Sequence, residues 1–275
     1  MSGPLKVGAV LYDPKVSVIW EIIRNFFESR DVPIDVTFYS TYELQVSSLL
    51  DATIDIAWNS PLAWLDAQRR SGGTCRAIAM RDTDRDRVSY IVGRKNAEVR
   101  TVPDLLGRVL AVGASDSPQA TLIPLGLLRQ EGIEPRRDVK IRGFDVLVGK
   151  HGDHVGGELD AFGCLQRGEV AACAMLDLNW DAWTRDGTLN PGEFAVIAPT
   201  DRFDHCVFTV RGDLDPAAER RWLDALFSMR YDEPSHREMM DLEGLKAWMP
   251  GRTTGFMALT AAVTAERFFE RQSRT

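Results

Sequence analysis

The chain has 275 residues, 44% of them apolar and 27% charged, with a formal net charge of -7. That length fills one large domain or two ordinary ones, and the acidic balance argues against a general nucleic-acid binder. No apolar run approaches the roughly 18 residues of a spanning helix, so no membrane insertion is expected.

Residues 5–11 read as a first buried strand. Met1-Ser2-Gly3-Pro4 leads straight into it. The series of positive, apolar and small residues that marks a signal peptide does not occur there. The expectation is a cytoplasmic protein, or a periplasmic one if a leader precedes this start. Residues 17–29 suit an amphipathic helix, with Val18, Ile22, Phe26 and Phe27 near one face. Residues 34–38 alternate as a strand. Thr41 fits the N-cap of a helix ending near Leu50. Residues 54–58 form a short strand, after which Ser60 and Pro61 suit an N-cap and a first helical residue. Strands at 75–80 and 88–92 flank a charged stretch, residues 81–87. A strand at 109–112, a helix near 119–130 and a short strand at 139–141 follow. A glycine-rich loop, 149–157, precedes a helix near 158–167 and a strand at 170–176. Strands at 194–198 and 205–210 and helices near 216–230, 235–247 and 255–272 complete an α/β chain. Four cysteines without CxxC spacing read as buried thiols.

Two segments look alike. Residues 49–61 and 165–177 each run from a helix end through a tight turn and an apolar strand to a polar tip. Open α/β sheets bind ligands at the carboxyl ends of strands, so two such units suggest two lobes serving one small molecule. The chain is expected to build lobe I from residues 1–87 and 205–275 and lobe II from 88–204.

The segments LLDATIDIAWNSPLAWLDAQ, TVPDLLGRVLAVGASDSPQATLIPLGLLRQEGIEPRRD and GGELDAFGCLQRGEVAACAMLDLNW resemble type 2 periplasmic binding proteins. The resemblance is to the phosphonate/phosphate/phosphite solute-binding branch of ABC transporters and covers most of the chain. It implies a two-lobed type 2 periplasmic-binding-protein-like α/β fold with a ligand cleft between lobes that closes on its ligand. The same fold also serves cytoplasmic enzymes, so fold alone does not choose a function.

The resemblance places an anion-binding Ser-Thr-Ser-Gly run on Ser117-Pro118-Gln119-Ala120. A strand precedes this segment and a helix follows, a setting that favours an anion. Only the first serine survives, Pro118 lacks an N–H, and Asp116 would repel a dianion. Ser115, Ser117 and Gln119 are the binding candidates here, and an ordinary helix cap is the alternative. A family histidine at the start of the next helix falls on Glu158, and Asp177 matches a family acid that contacts an amino group. His205, or Asp204 beside it, lies where the chain is expected to return to lobe I. His151 and His154 could belong to a lid or to a plain surface loop. Tyr12, Trp58, Asn59 and Ser60 complete the binding candidates. Trp58 could instead pack in a core, and Asn59 could instead hold the turn before Ser60.

Glu158, Asp177 and His205 are residue types suited to acid–base work or to a shared divalent metal ion. No G-x-G-x-x-G, P-loop or H-E-x-x-H pattern occurs, so no nucleotide cofactor is expected. Because the apparent start suggests the cytoplasm, these groups favour an enzyme acting on a small organic acid, of decarboxylase or other lyase type. The alternatives are a non-catalytic solute-binding protein that takes a small organic anion or zwitterion to an ABC permease, and a metabolite sensor.

Overall fold

The computed structural model describes residues 3–153 and 156–272. Two compact units result, residues 1–85 with 204–255 and residues 86–203 with 256–275.

The first unit opens with β1 (Leu5–Val10), α1 (Lys15–Glu28) and β2 (Ile34–Tyr39). α1 buries Val16, Ile19, Trp20, Ile23 and Phe27, a spacing of one to four that keeps a single face inward. α2 (Tyr42–Leu50) starts where Thr41 Oγ1 accepts the Leu44 N–H at 3.4 Å. After β3 (Ile56–Asn59), Ser60 Oγ accepts the Ala63 N–H at 3.1 Å and Pro61 opens α3 (Pro61–Arg70). β4 (Arg76–Arg81) ends this run.

The second unit begins at β5 (Ser89–Arg94) and β6 (Val109–Val112). A π turn at Pro118–Leu122 feeds α4 (Ile123–Gln130), so the helix expected near 119–130 has two parts. β7 (Lys140–Gly143), α5 (Gly156–Gln166), β8 (Ala172–Leu176), α6 (Asp177–Asp186) and β9 (Phe194–Pro199) follow. The chain then returns to the first unit with β10 (Val207–Val210), α7 (Pro216–Phe227), α8 (Pro234–Leu242) and β11 (Trp248–Pro250). α9 (Met257–Glu266) and α10 (Phe268–Gln272) end the chain in the second unit.

The first sheet has the order β11-β4-β10-β3-β1-β2 and the second β7-β6-β8-β5-β9. Five strands correspond. β2, β1 and β3 are mutually parallel neighbours, as are β7, β6 and β8. β10 runs antiparallel to β3 and β4, as β5 does to β8 and β9. The two look-alike segments therefore hold equivalent strands, β3 and β8. Two mixed sheets flanked by helices form the α/β type 2 binding-protein fold.

Alternation along the strands sorts the cores. In the second unit Leu110, Val112, Ala172 and Ala174 face one cluster with Leu125 and Leu128. Ala111, Cys173 and Met175 face another with Phe162 and Trp183. Helices thus cover both faces, and the strands read as unbroken apolar runs. In the first unit Trp58, Phe208, Trp222 and Trp248 cluster, with Phe208 centroids 4.6, 4.8 and 5.5 Å from the other three. All four cysteines are buried and free.

The C-terminal region differs from the sequence expectation. Residues 255–272 were expected as one helix of the first lobe. A break occurs instead at Arg267, with φ of 49°, and α9 packs on α4 of the second unit. Gly126 permits this approach, since a Cβ there would lie 3.3 Å from Ala262 Cβ. Glu266, on α9, pairs with Arg129 of α4 at 2.5 Å. A helix read from local sequence carries no information about which unit it packs against.

Candidate functional site

Glu158 lies near the start of α5, which meets the end of β6. A Cβ on Gly157 would sit 3.2 Å from Ala114 N and 3.3 Å from Gly113 Cα, so glycine permits the close approach. The Glu158 side chain then reaches the neighbouring strand end. Its Oε2 accepts the Leu176 N–H at 3.0 Å and the Asn179 amide at 2.6 Å. The carboxyl thus joins the carboxyl ends of β6 and β8. It is 3% exposed. Burial pushes its pKa up to about 7, the Leu176 and Asn179 bonds opposing and Asp177 adding to the rise.

Asp177 opens α6, an element the sequence reading left as an open strand end. Its N–H donates to Val88 O at 3.0 Å, and its Oδ2 lies 3.5 Å from Arg87 Nη1. Burial raises the Asp177 pKa, with Arg87 opposing. Glu158 and Asp177 are therefore electrostatic neighbours. His205 belongs to the other unit, where Asp84 and Cys206 are among its contacts.

The Ser117 segment is largely satisfied by the protein itself. The exposed Ser115 donates its N–H to Asp145 Oδ1 at 2.7 Å. Ser117 Oγ caps the Ala120 N–H at 3.1 Å. Gln119 Nε2 donates to Gly152 O at 2.7 Å. Asp116 Oδ2 accepts the N–H groups of Gly149 and His151 at 2.6 and 3.3 Å. The loop that was a candidate lid is thus held against this segment at Gly149, His151 and Gly152, with His151 buried. His154 lies outside the described residues. Asp116 Oδ1, Gln119 Oε1 and Thr121 Oγ1 are buried without a hydrogen-bond partner among the described residues.

In the first unit Tyr12 is half-buried against the core. Trp58 is 7% exposed between Phe208 and Trp248, with the Arg81 guanidinium 5.2 Å above its ring. Asn59 is fully buried, and its Oδ1 accepts from Gln45 Nε2 at 2.8 Å. Asn59 Nδ2 is a buried donor without a partner among the described residues. Ser60 is committed to capping α3.

The metal trio expected from sequence, Glu158, Asp177 and His205, is not the donor cluster found. Among the described residues Asp84, His205 and Cys206 bring ligand atoms within 4.8 Å of one another and could coordinate a metal ion. His205 Nδ1 lies 3.1 Å from Cys206 Sγ and 3.6 Å from Asp84 Oδ1. Arg81 competes for the same carboxylate, its Nε and Nη2 holding the two Asp84 oxygens at 2.7 and 2.8 Å. Burial disfavours the Arg81 charge, yet Asp84 and Glu243 hold its pKa above the ordinary value. A cation at Asp84 would face that fixed positive charge. Sequence reasoning missed Asp84 and Arg81 because a charged stretch reads as solvated surface.

Solved structures share the fold. PhnD1 of Prochlorococcus marinus, in complex with methylphosphonate, is 18% identical with a TM-score of 0.73, covering 96% of this chain and 98% of its own. A Xanthomonas citri protein bound to ATP is 17% identical with a TM-score of 0.76, covering 97% and 98%. The binding component of a Pseudomonas aeruginosa ABC phosphonate transporter is 13% identical with a TM-score of 0.67, covering 97% and 88%. An uncharacterised protein of Haemophilus influenzae is 49% identical over 43 residues, which are 16% of this chain and 58% of that protein.

Residues 13–254 match a family described as the phosphonate-binding periplasmic substrate-binding protein of ABC transporters. This match overturns two sequence expectations. The lyase reading falls, because the family binds solutes. The cytoplasmic placement falls as well, since the family is periplasmic. The chain belongs to the phosphonate-binding family of periplasmic substrate-binding proteins of ABC transporters.

Proposed function

We propose that this chain is a non-catalytic receptor that delivers a small organic anion or zwitterion, with phosphonates the leading class, to an ABC permease. The observation that carries the reading is the family match over residues 13–254. The methylphosphonate held by the Prochlorococcus relative supports the ligand class.

In the second unit the ligand groups are Glu158, Asp177 and the Ser115–Ser117–Gln119 set at the strand ends. Asp145 already takes the Ser115 N–H, and Pro118 has none to give. With Asp116 adjacent, this segment disfavours a doubly charged head group and suits a singly charged one. Asp177 is the natural partner for an amino group, giving a preference for zwitterions. In the first unit Asn59 Nδ2 and Tyr12 are the binding groups. Asp84, His205 and Cys206 serve the structure, with Arg81 in the place of a metal ion.

Calorimetric titration with methylphosphonate, 2-aminoethylphosphonate, an alkylsulfonate and short carboxylates tests this reading. Saturable binding at about micromolar Kd by at least one phosphonate is expected. Failure of every member to bind at millimolar concentration would refute it.

A further inference from the structure

We infer that Glu158 is a proton gate for the ligand, its neutral carboxyl donating a hydrogen bond to an anionic oxygen of the head group and its ionised form opposing capture. The inference rests on the receptor reading above and adds to it a mechanism of regulation.

The geometry carries it. Glu158 stands where the paired strands β6 and β8 end, the place an open α/β sheet offers to a ligand. Both donors that reach it, Leu176 N–H and Asn179 Nδ2, meet the same oxygen, Oε2. That oxygen is thereby fixed as the acceptor. Oε1 has no hydrogen bond among the described residues and is not among the sealed orphan atoms. It is the oxygen that would carry a proton outward.

The surrounding charges leave Glu158 uncompensated. On α6, Asp177 is negative and Arg87 is engaged with it at 3.5 Å. Asp181, further along α6, is also acidic. β8 contributes buried Cys173, whose thiol burial pushes upward. β7 carries Lys140, which is exposed, and Arg142, which pairs with Glu169 at 2.8 Å. The adjoining loops add Asp116 and Asp145, both accepting backbone N–H groups. None of these cations pairs with Glu158. An anion beside an ionised Glu158 would meet like charge in a place shielded from water, whereas a neutral carboxyl gives it a charge-assisted hydrogen bond. Like charges held close share one proton rather than ionise together. Burial has already brought the carboxyl to about 7, so neutral pH lies at the point of switching.

The test is titration of the native protein with methylphosphonate and with methanesulfonate between pH 6 and 8.5, in two buffers of unequal ionisation heat. Affinity should fall by roughly tenfold per pH unit above the switching point. The binding heat should differ between buffers by close to one proton taken up per ligand at pH 8. In Glu158→Gln the amide donates at every pH, so the added pH dependence should vanish for either ligand. The ratio of native to variant affinity cancels any titration of the ligand itself. If binding is seen with no buffer dependence, and the variant follows the native pH profile, the gate is refuted while the receptor reading stands. If no oxyanion binds at any pH, both fall. Should the variant fail to fold, proton uptake by the native protein decides alone.

Discussion

Replacing Glu158 by glutamine should stabilise the ligand-free protein at alkaline pH. The native carboxyl is lifted from the ordinary glutamate value of 4.5 to about 7, chiefly by burial. A raised carboxyl pKa means that the folded state binds the proton more tightly than the unfolded chain. The folded state is therefore most favoured below 4.5, and that advantage is lost as pH rises to about 7. At ~1.4 kcal/mol for each pH unit of the gap, the ionised group costs about 3 kcal/mol above pH 8. Glutamine keeps an oxygen for Leu176 N–H and Asn179 and never ionises. Denaturant unfolding at half-unit steps from pH 4.5 to 8.5 should show the variant matching the native protein at the acid end and exceeding it by ~2–3 kcal/mol at the alkaline end. The difference should develop between 4.5 and 7. A variant less stable than the native protein at pH 8.5, or a difference independent of pH, would refute the claim that Glu158 is buried without a compensating cation.

Three further outcomes follow from other sites. Gly255 lies against the Asp204 carboxylate, which Arg252 holds at 2.6 and 2.5 Å, and a Cβ would overlap it; Gly255→Ala should cost ~1–3 kcal/mol by denaturant unfolding, and a change below ~0.5 kcal/mol would show that the pair can shift. Zinc should leave the thermal midpoint of the native protein unchanged and raise it in Arg81→Ala, because the guanidinium occupies both oxygens of Asp84; equal stabilisation of the two proteins would refute the competition. Glu266 is held to a pKa of about 2 despite burial, by Arg271, Arg129 and Arg136. Its stabilisation is present above the ordinary 4.5 and lost as pH falls towards about 2, so Glu266→Gln should remove that acid step and speed amide exchange in α9 by roughly tenfold or more. Unchanged exchange would show that apolar packing alone secures α9.

The sequence revealed those parts of the fold whose signals are local. β3 and β8 stood out because strands covered on both faces are short unbroken apolar runs, and both end in a turn to a polar residue. Thr41 and Ser60 announced their helices because capping chemistry is confined to a few neighbouring residues. α6 was missed because Asp177, at the end of a strand, reads equally well as a loop residue and as a first helical residue. β11 was missed because three residues, Trp248–Pro250, gain their strand geometry only from β4. At the candidate site, the family resemblance and strand-end logic pointed to Glu158 and Asp177, which are electrostatic neighbours, while His205 contacts Asp84 and Cys206 in the other unit. Its partner Asp84 lies in a stretch whose charge suggests exposure, yet it is buried against Arg81, three residues before it, which Glu243 grips from far along the chain. Trp58 showed the same limit, since neither alternation nor composition tells a ligand-facing aromatic from one enclosed by Phe208 and Trp248.

The return of α9 and α10 to the second unit has a consequence for synthesis. The first unit is incomplete until residues 204–255 have been made, and the second until residues 256–272 follow. Chains usually fold domain by domain from the N-terminus as they leave the ribosome. Here neither unit can close that early. The Arg129 and Gly126 surface of α4 waits for a partner helix whose Glu266 follows Arg129 by 137 residues. The first half of the growing chain therefore stays unfinished until residue 255 has emerged, and the second until α9 and α10 have followed it.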